Sequence, residues 1–381
     1  MLIGIDANEA NSIDRVGIGR YAFNVLTGLN NFRKKRKKDS VSFRIYLKNK
    51  KLPELPESGS FWQYRQIRPG FLWTQTGLPL YLGLTREKPD LLFSLSHYAP
   101  KFSPVKSVIS VMDLSYIRYP KLFNKTDLYK LKSWTSFSVS QAAGIVTISH
   151  FSKSEIIDYY RVDSSKITVA YPGFDQKQFN PDINPKVIGP LRTKLNFRGK
   201  YILYVGTLQP RKNISGLIEA FSRLELKDVK LVIAGKKGWA YKEIFNRSGV
   251  LNISDKVLFT GYVTDAQLAG LYNNALCLVL PSYYEGFGLP VVEAMASGCP
   301  VIASNCSSLP EIVSDAGVLI NPDDTKSMAA AINKVVVSSR LRKFLIGKGL
   351  KRSKEFSWEK CAKIVYTFIT GLSHKSNRIE N

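Results

Sequence analysis

The sequence predicts an α/β protein of two successive domains, each built on a doubly wound parallel sheet. Short strands rich in β-branched residues alternate with helical patterns, which is typical of parallel sheets covered by helices. The alternation stops at residues 176–199, a segment rich in Pro, Asn and charge, and then restarts. A chain of 381 residues is also long enough to form two cores.

In the first domain, five apolar segments predict buried strands. They are residues 2–6, 42–47, 89–96, 107–114 and 143–149. Residues 17–30 place apolar side chains at helical spacing and predict a helix after the first strand. Ser152 and Glu155 lie three residues apart, a capping-box pattern that predicts where another helix begins.

The second domain repeats this alternation. The predicted strands are 201–206, 230–235, 257–261, 276–282 and 300–304, and the predicted helices are 213–224, 264–275 and 289–298. An amphipathic pattern over 356–369 predicts a last helix. We therefore predict domains at 1–185 and 186–358, with a C-terminal helix of about residues 359–381 packing back on the first domain.

A formal net charge of +25 is the strongest feature of the composition, and it is spread over both domains. The run Arg33–Lys38 (RKKRKK) concentrates six cations. Such a field attracts phosphates of nucleic acid, anionic lipid or a small molecule, although a solvated loop explains the run equally well. No apolar run approaches the ~20 residues that span a membrane, and the short acidic start is unlike a signal peptide, so we expect a cytoplasmic chain.

Several enzyme classes are disfavoured by their missing motifs. Residues 17–22 (GIGRYA) match a dinucleotide fingerprint, but they lie about ten residues from the preceding strand, and no acidic residue follows the next strand. There is no P-loop, no nucleophile elbow, no clustered zinc ligands and no Asp-x-Asp pair. Any bound phosphate must therefore be held by cationic side chains and backbone N–H groups.

The segment 281–298 (PSYYEGFGLPVVEAMASG) carries the clearest functional pattern. It joins a strand to a helix, and this edge of an open parallel sheet is where ligands bind. Its glycines allow close approach of the backbone, and the helix N-terminus favours an anion such as phosphate. Glu293, about one turn into the helix, is suited to a ribose diol, and Glu285 to the hydroxyls of a second sugar. A structural glycine turn with a helix-dipole Glu is the alternative interpretation.

Two cations support the nucleotide-sugar interpretation. Arg211 and Lys212 follow the strand 201–206 and are expected at the same sheet edge as the glycine turn. Cations there would neutralise a pyrophosphate. A plain surface loop would also account for them.

With these motifs in place, the chain resembles the retaining glycosyltransferases of family 4, which have the GT-B fold, and especially their mannosyltransferase-like members. The similarity rests on EGFGLPVVEAMASGCPVIAS, a Glu-x7-Glu signature, and on GTLQPRKNISGLIEAF, SSLPEIVSDAGVLINPDD and FSWEKCA. The N-terminal segment DANEANSIDRVGIGRYAFNVL is a looser match. The resemblance implies two Rossmann-like domains facing a cleft, with acceptor bound by the first and nucleotide-sugar by the second.

The resemblance also implies roles for individual residues. Glu293 would hold the donor ribose, Glu285 the donor sugar, and Arg211 with Lys212 the pyrophosphate leaving group. The remaining donor-binding positions it implies are Gly17, Thr207, Tyr262, Val263, Gly286, Phe287, Gly288 and Leu289.

One position departs from the family pattern. Many relatives carry His-Asp where this chain has Met112-Asp113. Asp113 is retained as a catalytic candidate, and the backbone carbonyl of Met112 could still contact the sugar. His97 and His150 are the histidines that could replace the missing imidazole.

The resulting prediction is a retaining, metal-independent glycosyltransferase. It moves a mannose-like sugar from a GDP- or UDP-linked donor to a glycan or lipid-linked acceptor, without a further cofactor. A GT-B-shaped epimerase, a phosphorylase, a catalytically weak relative and a polyanion-binding protein are the alternatives; specific nucleic-acid binding is disfavoured because no such motif occurs. We also expect peripheral association with an anionic membrane through Arg33–Lys38.

Overall fold

A computed structural model describes residues 1–13, 15, 17–183, 185–238 and 241–376, which divide into two compact units. The first unit comprises Met1–Gly173 and the residues from Ser357 onward, and the second comprises Phe174–Phe356. Each unit contains one parallel sheet with helices packed on it. The predicted α/β class, with two doubly wound parallel sheets, is confirmed.

The first sheet has seven strands in the order β3-β2-β1-β4-β5-β6-β7, all parallel. The strands are β1 Leu2–Asp6, β2 Ser42–Leu47, β3 Trp62–Gln66, β4 Leu91–Ser94, β5 Ser107–Ser110, β6 Gly144–Thr147 and β7 Ile167–Val169. The helices among them are α1 Ile18–Lys35, α2 Gly77–Leu84, α3 Ser115–Arg118, α4 Lys125–Gln141 and α5 His150–Tyr160.

The second sheet has six parallel strands in the order β10-β9-β8-β11-β12-β13. The strands are β8 Lys200–Val205, β9 Val229–Ala234, β10 Val257–Gly261, β11 Cys277–Leu280, β12 Val301–Ser304 and β13 Gly317–Ile320. The helices are α6 Gly189–Lys194, α7 Ile214–Ser222, α8 Tyr241–Val250, α9 Asp265–Asn274, α10 Leu289–Ala296, α11 Leu309–Val313, α12 Thr325–Val337 and α13 Ser339–Ser353.

The last helix, α14 (Trp358–Ser376), belongs to the first unit and packs along α1. Gly28 makes room for it, because a Cβ there would lie 2.7 Å from Cβ of Ala362. The rings of Tyr21 and Trp358 meet edge to face at 6.2 Å. The final five residues of the predicted C-terminal helix, 377–381, lie outside the described residues.

The first unit ends at Gly173, earlier than the boundary predicted at residue 185. The segment after Gly173 packs on the second sheet's helices: the ring of Phe179 meets that of Tyr272 at 6.0 Å, and Asn273 Nδ2 donates to Asn180 O at 3.0 Å. The Pro- and Asn-rich composition therefore marks an irregular segment that packs against the second unit.

Other differences concern local signals. The prediction of a capping box at Ser152 was wrong. Helix α5 begins at His150 and its N-cap is Ser149, whose Oγ accepts a hydrogen bond from Ser152 N at 3.0 Å. Glu155 instead pairs with Arg118 Nε at 2.8 Å. Helix α1 runs to Lys35, beyond the predicted end at residue 30, and so includes the first half of the basic run.

Three strands were not predicted from the sequence, for different reasons. β3 (WQYRQ) is largely polar because it is an edge strand with mostly accessible side chains, while β7 and β13 are only three and four residues long. Within the described residues, no helix has the length and apolar character needed to cross a membrane.

Candidate active site

Strand order in the second sheet reverses between β8 and β11, which are hydrogen-bonded neighbours. At such a reversal the loops that follow the two strands diverge and leave a crevice at the carboxyl edge, where ligands bind in sheets of this type. Arg211 and Lys212 follow β8, and the glycine turn follows β11. The two loops are joined by a hydrogen bond from Tyr283 N to Arg211 O at 2.9 Å.

Glu285 lies between the two cations. Lys212 Nζ donates to its Oε1, and Arg211 Nη1 lies 3.8 Å from its Oε2. Ser282 Oγ donates to Oε1 at 2.8 Å. Burial disfavours the charged carboxylate, but Lys212, Arg211 and these hydrogen bonds together hold the pKa of Glu285 below its usual value. The carboxylate is therefore buried, ionised and shared by both cations.

At Gly288, the glycine turn has a backbone conformation that only glycine adopts without strain. Gly288 has φ +101°, and a Cβ there would lie 2.8 Å from Leu309 Cδ2. Ser308 Oγ donates to the carbonyls of Glu285 and Phe287 at 2.9 and 3.0 Å. The turn is thus fixed before any ligand binds, and α10 begins directly after it at Leu289.

Phe287 contributes its backbone to the turn, while its side chain belongs to the core. The ring is buried and meets the ring of Phe356 at 5.6 Å. Gly286 is buried beside it. A donor-binding role for these two residues would therefore run through main-chain atoms, as the resemblance implies.

Glu293 lies in α10, one turn beyond the glycine turn, and is buried. Tyr272, from α9, donates its hydroxyl to Glu293 Oε2 at 3.1 Å. This contact orients the carboxylate. Sequence reasoning missed Tyr272, because its place beside Glu293 depends on how α9 packs against α10, which no local sequence pattern specifies.

The outer part of the same edge carries an aromatic platform. Tyr262 follows β10, is 66% exposed, and has Lys236 Nζ 4.8 Å above its ring. Val263 next to it is buried, and Thr207, after β8, is exposed. Lys236 was missed, although it follows β9 directly and could have been found by the argument that located Arg211 and Lys212.

The remaining predicted residues lie in the first unit. Asp113 follows β5 and accepts a hydrogen bond from Ser115 N at 2.8 Å. The carbonyl of Met112, proposed as a sugar contact, already accepts from Ser152 Oγ at 2.9 Å. Gly17 is the N-cap of α1, with φ +49°; apart from its chain neighbours, no described residue has an atom within 4 Å of a Cβ built on it.

Of the two candidate histidines, His97 is close enough to Asp113 for the charge of that carboxylate to act on its imidazole. It follows β4, the neighbour of β5, and its ring meets Tyr116 edge to face at 5.9 Å. Burial lowers the pKa of His97, and the charge of Asp113 opposes that shift. Its Nδ1 is buried and has no hydrogen-bond partner among the described residues. His150 packs against Tyr171 at 6.0 Å.

Within the part of the chain that the structure describes, no three His, Cys, Asp or Glu side chains converge as ligands for an ion. The four cysteines, Cys277, Cys299, Cys306 and Cys361, are all unpaired thiols.

Comparison with known proteins agrees with this geometry. Residues 191–352 match the family described as glycosyl transferases group 1. The O-antigen chain mannosyltransferase B of Escherichia coli is 33% identical over 260 residues, which cover 67% of this chain and 68% of that protein.

Solved structures match nearly the whole chain. Sucrose-phosphate synthase from Thermosynechococcus elongatus aligns with a TM-score of 0.75 at 19% identity, covering 98% of this chain and 99% of that one. HepE from Anabaena, solved with UDP and glucose, aligns with a TM-score of 0.72 at 19% identity, covering 97% and 99%. At 19% identity these solved structures are evidence for the fold alone, and they confirm the predicted GT-B class.

Proposed function

Since this chain belongs to the glycosyl transferases group 1 family, we propose that it moves a hexose from a nucleotide-sugar to a glycan or lipid-linked sugar. The second unit holds the donor and the first unit holds the acceptor. The observation that carries the proposal is the cluster of half-buried Arg211 with buried Lys212 and Glu285 beside the N-terminus of α10, with Glu293 one turn away.

The cluster suits a departing diphosphate. When the bond between the anomeric carbon and the phosphate oxygen breaks, negative charge develops on the leaving group. Arg211 and Lys212 carry two positive charges against one on Glu285, so a net positive charge remains for that oxygen. The first N–H groups of α10 add a favourable dipole.

Glu285 then has two tasks. It fixes the cations in place before the donor arrives, and its carboxylate, held ionised, accepts hydroxyls of the donor sugar. Glu293, oriented by Tyr272, accepts the two ribose hydroxyls. Transfer proceeds with retention and without a metal ion, and the leaving phosphate takes the acceptor's proton.

The donor sugar is mannose and its nucleotide GDP or UDP. The similarity to an Escherichia coli mannosyltransferase supports the sugar, and the nucleotide panel below distinguishes the two bases. The reaction takes place on the cytoplasmic side, where sugar nucleotides are available.

Thermal stability in the presence of GDP, UDP, ADP, dTDP and their sugar conjugates tests the proposal. A ligand at ~100 times its dissociation constant adds ~2.7 kcal/mol of stability, which is readily detected. We expect one nucleotide family to stabilise the protein and Glu293→Gln to abolish the effect. Asp315→Asn, a change on an exposed surface of the same unit, is the matched control.

Two results would contradict the proposal. One is a set of nucleotides that never shifts the unfolding temperature, even with acceptor present. The other is a nucleotide effect that Glu293→Gln and Asp315→Asn leave equally intact, because binding would then lie elsewhere.

A further inference from the structure

Helix α2 of the first unit leaves an apolar face uncovered. It buries only Gly77, Leu78 and Leu82 of its eight residues. Leu80 and Leu84 lie four residues apart, therefore on one side of the helix, and are 57% and 76% exposed. Apolar side chains repeated on an outward helix face usually mark an interaction surface.

The loops beside α2 extend this face. Phe71 and Phe102 are 78% and 77% exposed, and Leu72 is 42% exposed. Gln75 joins the two loops: its Oε1 accepts from Lys101 N at 2.9 Å and its Nε2 donates to Ala99 O at 3.2 Å. We call these five residues, Phe71, Leu72, Leu80, Leu84 and Phe102, the α2 surface.

One member of the α2 surface is held in an unfavourable backbone conformation. Leu72 has φ +43°, which costs a non-glycine residue on the order of 1 kcal/mol. Hydrogen bonds from Gln75 N and Thr76 N to its carbonyl, at 2.7 and 3.0 Å, maintain that conformation. The chain therefore accepts strain where it exposes a leucine.

The charged side chains nearest in sequence to the α2 surface are mostly cations. Residues 69–85 contain no charged side chain, and exposed cations, Arg68 and Arg86, flank them. Lys88 follows, and Lys101 lies with Nζ 5.6 Å above the ring of Phe102. Two carboxylates lie near these cations in the sequence: Glu87 pairs with Arg44 at 2.6 Å, and Asp90 Oδ2 accepts from Leu2 N at 2.7 Å.

An apolar centre bordered by cations is complementary to an anionic lipid surface, where hydrocarbon lies just beneath phosphate headgroups. At eight residues α2 is about 12 Å long, so it can lie in the interface but cannot span it. We propose that the α2 surface seats the first unit on a bilayer containing anionic phospholipid. This inference is independent of the proposed donor site.

The basic run Arg33–Lys38 is less suited to that task. Arg33 is buried, with Nε bonded to Val41 O at 2.7 Å, and Lys35 and Arg36 pair with Glu359 and Asp39. Lys34, Lys37 and Lys38 are exposed, but the run contains no apolar side chain that could enter a bilayer.

Co-sedimentation of the full chain with vesicles tests the assignment. We expect binding to phosphatidylglycerol–phosphatidylcholine vesicles and much weaker binding to phosphatidylcholine alone. Leu80→Ser combined with Leu84→Ser should weaken binding about a hundredfold, because each leucine contributes about tenfold when buried. Both residues face solvent, so the unfolding temperature should not change.

Three further measurements complete the test. Arg86→Ser with Lys101→Ser should weaken binding and flatten its salt dependence, and the triple change Lys34→Ser, Lys37→Ser and Lys38→Ser should leave binding near wild type. Loss of binding only in that triple variant would overturn the α2 assignment in favour of the basic run. Absence of vesicle binding, or a dimer in sedimentation velocity that the double leucine change dissolves, would overturn it altogether.

Discussion

Each unit buries a carboxylate close to the point where its strand order reverses, yet the two carboxylates have opposite electrostatic surroundings. Asp6 is the last residue of β1, beside β4, and Glu285 follows β11, beside β8. Burial raises the pKa of Asp6 to about 7, whereas two cations hold the pKa of Glu285 below its usual value. Both carboxylates lie near a reversal of strand order, but the groups around each carboxylate decide whether it is ionised.

The surroundings of Asp6 explain the difference. Its Oδ1 accepts from Asn8 N and Nδ2 at 3.3 and 2.9 Å, which offsets little of the burial, and the charge of Glu9 raises its pKa further. Burial and the charges of Glu9 and Asp6 also raise the pKa of Tyr98 to about 12. The first unit thus gathers acidic groups where the second gathers cations, and only the second edge is suited to an anionic leaving group.

The largest expected effect comes from removing a cation from the second unit. Lys212→Met leaves buried Glu285 with Arg211 alone, which should lower the free energy of unfolding by ~3–5 kcal/mol. Turnover should fall by about 10²–10³, because a donor to the leaving group's charge is lost. Chemical denaturation and steady-state rates measure the two effects.

The double variant Lys212→Met/Glu285→Gln distinguishes the effect of Lys212 on stability from its effect on turnover. It should recover most of the lost stability, since no unpaired charge is buried, while turnover stays low. Recovery of both would mean that Lys212 serves only to neutralise Glu285.

A second effect, which depends on pH and is expected in stability alone, lies in the first unit. Asp6 has a folded pKa raised from 3.8 to about 7, so its contribution to stability is fully present below 3.8 and is lost as pH rises through about 7. Asp6→Asn should therefore match wild type near pH 4 and exceed it at about pH 8, by up to ~4 kcal/mol. Denaturation of both proteins across this range is the measurement, and a pH-independent difference would contradict the assignment.

The smallest effect is expected from Glu9→Gln, which removes the like charge beside Asp6. The pKa of Asp6 should fall by less than about one unit, because burial is the larger cause of its shift. When both proteins carry Glu9→Gln, the stability difference between Asp6→Asn and the protein with Asp6 should level off at a pH that is lower by the same amount. An upward movement would show that Glu9 stabilises the charged form of Asp6.

Much of the fold and site was accessible from sequence because the signals are local. Alternation of strands and helices, the glycine turn and the two cations after β8 each depend on a few consecutive residues, and the structure places them where expected. One error arose because two neighbouring residues offered the same signal. Ser149 and Ser152 both suit a helix N-cap, and in the structure Ser149 is the cap and accepts a hydrogen bond from Ser152 N. Other misses came from strands that are short or largely polar.

The sequence alone determined which side chains lie at the carboxyl edges of the sheets, because each lies at the end of its own strand or a few residues after it. Tertiary structure decided which of them meet: Lys212 and Glu285 are 73 positions apart and form one ion pair, and Tyr272 reaches Glu293 from another helix. It also decided that Arg33 is a buried structural residue and that, among the described residues, no cation offsets the burial of Asp6. The physical reason is that burial and charge pairing depend on distances between remote segments, which parallel strand pairing sets and local patterns do not contain.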